Sequence, residues 1–387
     1  MSHLLARKKS SSSLRRKQSG PASDAPSSNT PSDQKPREVK SAPYQDARYE
    51  TLLETKRSYM GRYVGENEEG VTIESKTLCR TLLGTKQKVP EDSMFHDKFF
   101  NDTCEMIRNR NEAKVIQDIT RLIVPSAQSL AIRGAKHLKC LTESVNEGWN
   151  NSIPLTGTRP QPDYSVGFKR EAFTKDQLNK LSPFIGDFIA GDQSFFMATY
   201  YMYFPFLTCE VKCGAAALDI ADRQNAHSMT LAVRAIVELF RLVDREMELH
   251  REILAFSISH DHRSVRIYGH YPAINGKDTT YYRHPIHEFS FQALDGKEKW
   301  TAYKFTKNIY DIWMPAHFKR LCSVIDKLPL DIDFSVPQLP EGSGLSQDLE
   351  SHHLSDSVGD AGDTTPNTSF TDQGAPKRPR KRPAAGQ

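Results

Sequence analysis

The chain has 387 residues, 37% hydrophobic and 26% charged, with a formal net charge of +4. That length suits one large or two ordinary domains with a sizeable core. It excludes a membrane-spanning reading: the charge-free run Gln193–Cys209 holds Pro205 and several tyrosines and stops short of the ~20 residues a span needs, so it reads as a core element.

Residues 1–45 are rich in Ser, Pro, Lys and Arg, and residues 336–387 are polar, acidic and then basic. Neither stretch has the apolar residues that would offset the entropy of ordering, so both read as disordered tails. Arg7, Lys8, Lys9, Arg15, Arg16 and Lys17 come without an acid among them. No apolar core follows them, so no secretory signal is expected. Six cysteines show no paired framework and read as reduced thiols.

Between the tails, residues 46–97 read as a helical or extended arm and residues 98–335 as the folded domain. Arg48–Arg62 is helical in pattern, and Val71–Leu82 is a short helix or an extended piece. Ile107, Val115, Ile116, Ile119 and Leu122 recur at helical spacing and predict one helix over 101–122. Ser126 is a good N-cap for a second helix, running from Ala127 through Leu138, Leu141 and Val145 toward Gly148. A loop leads to Pro162–Asp163 and a strand over Tyr164–Phe168, then a helical turn or two over Lys175–Leu181. An apolar strand ends in Glu210–Val211–Lys212 and Gly214. A long helix follows, from Ala215 to about Glu248, with Ala226, Met229, Val233, Ile236, Phe240 and Val243 as its stripe. Ile253–Ser259 and Ser264–Tyr271 read as strands joined by a tight turn. A helix over Ile309–Leu328 closes the domain.

One stretch carries chemistry. Side chains alternate faces along a strand, so Glu210 and Lys212 share one face while Leu207, Cys209, Val211 and Cys213 share the other. Glu-x-Lys is a cheap pattern: Glu54–Lys56, Glu74–Lys76 and Glu112–Lys114 repeat it on polar faces. Only Glu210–Lys212 sits in an apolar strand, and the chain's one Pro-Asp dipeptide lies upstream. A bare ion pair at a sheet edge would give the same two residues.

Pro162–Asp163 with Glu210–Val211–Lys212, in the order helix, loop, strand, strand, long helix, strand, resembles the PD-(D/E)xK nuclease-like superfamily, whose core runs helix, strand, strand, strand, helix, strand. The resemblance implies an α/β fold with a mixed central sheet flanked by helices, the restriction-endonuclease-like core. It implies Asp163, Glu210 and the Val211 backbone carbonyl as ligands of Mg²⁺ (or Mn²⁺), and Lys212 as the group that orients or deprotonates water or stabilises the transition state. Glu147 or Glu143 would supply a further acid from the first helix, and Gln224 a water- or phosphate-positioning amide. The stretch from Asp163 to Glu210 is longer than a hairpin needs, so it holds an insertion, and Asp187 or Asp192 is an alternative partner for Glu210. Residues 98–328 also resemble an uncharacterised family of fungal proteins, through PQPDYSVGF, FIAGDQSFFMATYYMYFPFLTCEVKCGAAALDIADRQNAHSM and ILAFSISHDHRSVRIYGHYP. The function implied is metal-dependent phosphodiester hydrolysis on nucleic acid; the alternative is an inactive nuclease fold serving as a nucleic-acid- or protein-binding module.

Other candidates read more plainly. His260–Asp261–His262 is a hairpin turn rather than a metal clip. Cys209 and Cys213 pack inside. Tyr281, Tyr282, Arg283, His284 and His287 form a basic-aromatic strip that suits a sheet edge better than base stacking. Lys377, Arg378, Arg380, Lys381 and Arg382 in PKRPRKRP resemble a nuclear-localisation signal read by an import receptor. A nuclear location is expected from it, with cytoplasmic or mitochondrial placement as alternatives.

Overall fold

The computed structural model of the protein describes residues 4–7, 42–65, 70–213 and 217–329. Around its sheet the fold is mixed α/β. The helical turn at 42–45 and α1 (Arg48–Glu54) lead to a two-residue strand, β1 (Ser58–Tyr59). The helix α2 (Ile73–Gly84) starts where the Thr72 side chain accepts the Ser75 amide, the N-cap bond that satisfies an orphan donor.

The single helix expected over 101–122 is two. Helix α3 spans Asp97–Ile107; the chain then turns at Asn109, whose φ of 57° lies in the left-handed region that Asn tolerates. Asn111 caps the next helix, accepting the Lys114 amide, and that helix runs as α4 (Glu112–Val115), a π-helical turn (Ile116–Thr120) and α5 (Arg121–Ile123). The second helix is shorter than expected. Ser126 caps α6 as its side chain predicted, but α6 is only Ala127–Ile132. Gly134 reverses the chain at φ +114°, and Leu141–Ser144 is a strand, β2. The spacing of Leu138, Leu141 and Val145 imitates a helix, yet Val145 is exposed.

Strand β3 (Tyr164–Phe168) pairs antiparallel with β2 and with β4 (Tyr203–Val211). The expected insertion lies between β3 and β4 and contains α7 (Lys175–Ile185), opened by a reciprocal capping box of Thr174 and Gln177. Helix α8 (Ala217–Arg241) then crosses over to β5 (Ala255–His260), which runs parallel to β4. Strands β6 (Ser264–Asn275) and β7 (Asp278–Ser290) form a long hairpin around Asn275–Gly276, and β1 adds in parallel to β7. The seven strands lie in the order β1-β7-β6-β5-β4-β3-β2. The segment expected as an arm, 46–97, is thus built into the domain: β1 extends the sheet, and the Asn308 amide donates to the Leu82 and Thr85 carbonyls of α2 and its end.

Helix α8 covers one face of the sheet. The other is covered by α9 (Thr301–Asn308), a π-helical turn (Ile309–Trp313) and α10 (Met314–Ile325), with Phe256 of β5 between Phe305 and Trp313. Covered on both faces, β4 is buried at all nine positions, which is why it reads as a near-continuous apolar run. Among the described residues no helix is long and apolar enough to cross a membrane. Inside the stretch expected to be a disordered tail, Leu4 is buried in the main core and Arg7 exchanges backbone hydrogen bonds with Gln193 at 2.8 and 2.9 Å. The remaining N-terminal basic residues, the C-terminal tail with Lys377–Arg382, and Gly214 lie outside the described residues.

Candidate functional site

The antiparallel register Tyr164↔Cys209 brings the residue before β3 beside the end of β4. Asp163 is that residue, and its Oδ2 accepts the Val211 amide at 2.8 Å. Lys212 follows β4 and is fixed at its own backbone, where its amide donates to the His260 carbonyl of β5 at 3.1 Å. Its Nζ donates to the Val211 carbonyl at 3.2 Å and lies 3.5 Å from Glu112 Oε2. Asp163, Glu210, Lys212 and Gln224 are 4%, 1%, 3% and 2% exposed, so four polar side chains are held almost out of solvent.

Alternation along β4 sends Thr208 and Glu210 toward α8. Thr208 Oγ1 meets Asn225 Oδ1 at 2.7 Å, and Asn225 Nδ2 donates to the Ile258 carbonyl and Ser259 Oγ of β5. Ser259 donates to Asp222, which also accepts from Tyr268 and Arg266. A polar layer therefore runs between α8 and the sheet, with the two carboxylates and the ammonium at its β3–β4 end. Gln224 sits on α8 with its Oε1 buried and accepting no hydrogen bond.

The acid that meets Lys212 is Glu112, at the start of α4. Neither Glu143 nor Glu147 takes that place. Glu143 is on a strand, not at a helix end, and accepts from Ser126, Tyr164 and the Gln128 amide. Glu147 accepts a hydrogen bond from Tyr201. Asp187 and Asp192 close their own loop: Asp192 accepts the Asp187 amide and Asp187 accepts that of Ala190. They do not replace Asp163 beside β4.

This set of residues falls inside one recognisable unit. Residues 99–325 match the model of a family described as a domain of unknown function, DUF7924. The chain belongs to the DUF7924 family. The match covers more than half of the sequence and includes Glu112, Asp163, Glu210, Lys212 and Gln224, while α1, β1 and α2 precede it. No curated protein matches the chain.

Around the DUF7924 site, the N-terminal residues contribute what sequence reading missed. The Tyr44 hydroxyl lies 2.9 Å from His227 Nδ1 on α8, Tyr49 lies 3.2 Å from the same nitrogen, and Arg223 donates to the Tyr44 carbonyl at 2.7 Å. Burial first, then Tyr49 and the nearby Glu210 charge, holds the Tyr44 hydroxyl well above its ordinary pKa. Burial drives the His227 imidazole down to about 3, so it is neutral at physiological pH.

The plainer candidates of the DUF7924 domain resolve as turn and packing residues. Asp261 Oδ1 accepts the Arg263 and Ser264 amides at 2.7 Å each, an Asx turn, and His260 is buried against Thr120 Oγ1 at 3.0 Å. All six cysteines are free thiols, and Cys209 is fully buried. Tyr282 stacks on Tyr59, Arg283 donates to the Met60 carbonyl, and His287 pairs with Glu298.

Among the described residues, no three His, Cys, Asp or Glu side chains gather as a metal cluster. What β3 and β4 bring together is two carboxylates and a main-chain carbonyl. Carboxylate and carbonyl oxygens are hard donors.

Proposed function

We propose that the DUF7924 domain is nuclease-like, of the PD-(D/E)xK kind, and hydrolyses nucleic-acid phosphodiesters with Mg²⁺ or Mn²⁺. The observation that carries this is the bond from the Val211 amide to Asp163, which fixes the carboxylate just before β3 against the Glu210–Val211–Lys212 end of β4. The strand order β2-β3-β4-β5, with α8 crossing between the parallel pair, supports the same reading. Asp163, Glu210 and the Val211 carbonyl would hold the ion. When bound, it supplies charge neutralisation on the phosphate and a water of lowered pKa. Lys212 places a positive charge where negative charge develops on the phosphate. Glu112 orients that ammonium, and the Gln224 carbonyl would accept a hydrogen bond from the attacking water.

The test is a nuclease assay on the full chain with Mg²⁺ or Mn²⁺. Lys212→Ala and Asp163→Asn are expected to lower turnover on the order of 100-fold or more. Turnover unaffected by both changes removes this site from the reaction.

One observation favours the second reading, an inactive nuclease fold that binds nucleic acid or protein. The Lys212 ammonium already rests on the Val211 carbonyl, so an ion there must share that oxygen or displace the ammonium. Under this reading an oligonucleotide or protein partner binds, and no cleavage is seen with either metal. The basic C-terminal run would place the protein in the nucleus through an import receptor. A fluorescent fusion that stays nuclear after Lys377, Arg378, Arg380, Lys381 and Arg382 are all changed to Ala refutes that address.

A further inference from the structure

The acids and the lysine of the site are almost without solvent exposure, so a polymer reaches them only if something moves. Most of the fold cannot move locally. The side chains of β2–β7, α8, α9 and α10 form one contiguous core, and opening it is global unfolding. One stretch before the family domain, residues 44–60, is different. Tyr44, Tyr49, Leu53 and Met60 pack with Ala226 of α8 as a small separate cluster, with Leu155 and Ile220 at its edge.

That cluster sits on the outer stripe of α8. Ile220, Arg223, Ala226, His227 and Thr230 follow one another at steps of one or three residues, and each is engaged from the N-terminal side. Ser58 meets Thr230 at 2.6 Å, and the Tyr44 carbonyl takes the Arg223 guanidinium. His227 is held by two tyrosine hydroxyls, one of which continues to Thr156 at 3.0 Å. The far end is anchored at β1, where Tyr59 stacks on Tyr282 and the Met60 carbonyl accepts from Arg283, so the strap ends before it.

We propose that residues 42–57 are a displaceable strap over α8 that competes with the phosphate backbone of a nucleic acid for the approach to the Glu210 site. With the strap down, Arg223 and His227 are spent on Tyr44 and Tyr49. With it lifted, a guanidinium and an imidazole face solvent on the helix that carries Gln224. Both are donors suited to phosphate oxygens. The lifting itself is independent of the nuclease-like reading; only the identity of the competitor rests on it.

The experiment labels thiols in the full-length protein. Ala226→Cys places a reporter under the strap, and native Cys209, fully buried in the main core, reports global unfolding. Both are followed by mass spectrometry of their peptides. A locally opening strap labels residue 226 at least tenfold faster than Cys209. Adding Tyr44→Phe and Tyr49→Phe, which removes the bonds to His227, raises the residue 226 rate further and leaves Cys209 unchanged. Equal rates at residue 226 and Cys209 in both backgrounds overturn the proposal, because the strap then opens only with the whole domain.

Binding of a fluorescent single-stranded oligonucleotide separates the two readings. Apparent affinity scales with the open fraction, so the same Phe pair, on the native Ala226 background, is expected to bind about tenfold tighter. Faster labelling without tighter binding keeps the strap and refutes the nucleic-acid reading of the site.

Discussion

At the residue scale, the polar layer under α8 holds charges that are shared among several partners. Asp222 is the clearest case. It is 2% exposed and accepts Ser259 Oγ on one oxygen, and the Tyr268 hydroxyl and Arg266 on the other, with Arg283 3.6 Å away. A buried carboxylate of this kind is tolerated only while its partners remain, and removing it strands the cations and hydroxyls that face it. Asp222→Ala is therefore expected to cost about 3–5 kcal/mol of stability. Urea unfolding checks this: the midpoint should fall with the slope unchanged. Asp222→Asn keeps the shape and one acceptor and should cost less. A midpoint within experimental error of the parent for the alanine variant would show that this layer is not a stability determinant. The same accounting explains why Glu112 was invisible in the sequence. Its Glu-x-Lys pattern matches two others on polar faces, and only the tertiary fold brings it from the start of α4 to Lys212.

At the element scale, the site depends on the register between β3 and β4. The pairing shifts from Val166↔Leu207 to Phe168↔Tyr203, so β4 carries extra residues opposite Gly167. A Cβ at Gly167 would meet Met202 Cγ at 2.7 Å, the Tyr203 carbonyl at 2.8 Å and Pro205 Cα at 3.1 Å. Two of these are backbone atoms and cannot rotate away, so the irregularity needs glycine for closeness rather than for its dihedrals. Gly167→Ala is expected to cost about 1–3 kcal/mol. It should also loosen the strand end where Asp163 holds the Val211 amide. Hydrogen exchange at that amide reads the second effect directly. Exchange at the parent rate would separate the irregularity from the site. Strands β3 to β6 were legible because their apolar runs are bounded by turn residues, and α8 because its stripe is long. The strand β2 was not, because a three-then-four spacing of leucines and valine fits a helix as well as a loop followed by an edge strand. The break between α3 and α4 was also hidden, since apolar residues at three- and four-residue steps resume a few positions beyond Asn111.

At the scale of the whole molecule, the sequence pattern gives away the layered α/β architecture and the β3–β4 end of the site, because Pro-Asp and a charged pair inside an apolar strand are locally anomalous. It hides the long-range cover: nothing about Tyr44 or Tyr49 marks them as partners of a histidine on α8. Buried histidines are a property the whole fold shares. Burial, helped by neighbouring Arg234, Arg283 and Arg320 respectively, drives the imidazoles of His227, His270 and His317 from 6.5 to about 3. Each is built into packing as a neutral ring: His227 under the two tyrosines, His270 on Ser257 Oγ at 2.7 Å, His317 stacked on Trp313 at 4.3 Å. Because the folded pKa lies below the unfolded one, the unfolded chain binds more protons in between. The stabilisation is complete above about 6.5 and is lost as pH falls toward 3. Each histidine contributes a slope of about 1.4 kcal/mol per pH unit in that window. Unfolding free energy from urea titrations should therefore drop steeply between pH 6.5 and 5, where ordinary carboxylates are still ionised. Replacing His317 by Gln should shave one histidine's share off that slope. A free energy that stays level from pH 7.5 to 5 would mean the three rings take up protons in the folded state, and that the core around α8 and α10 admits water.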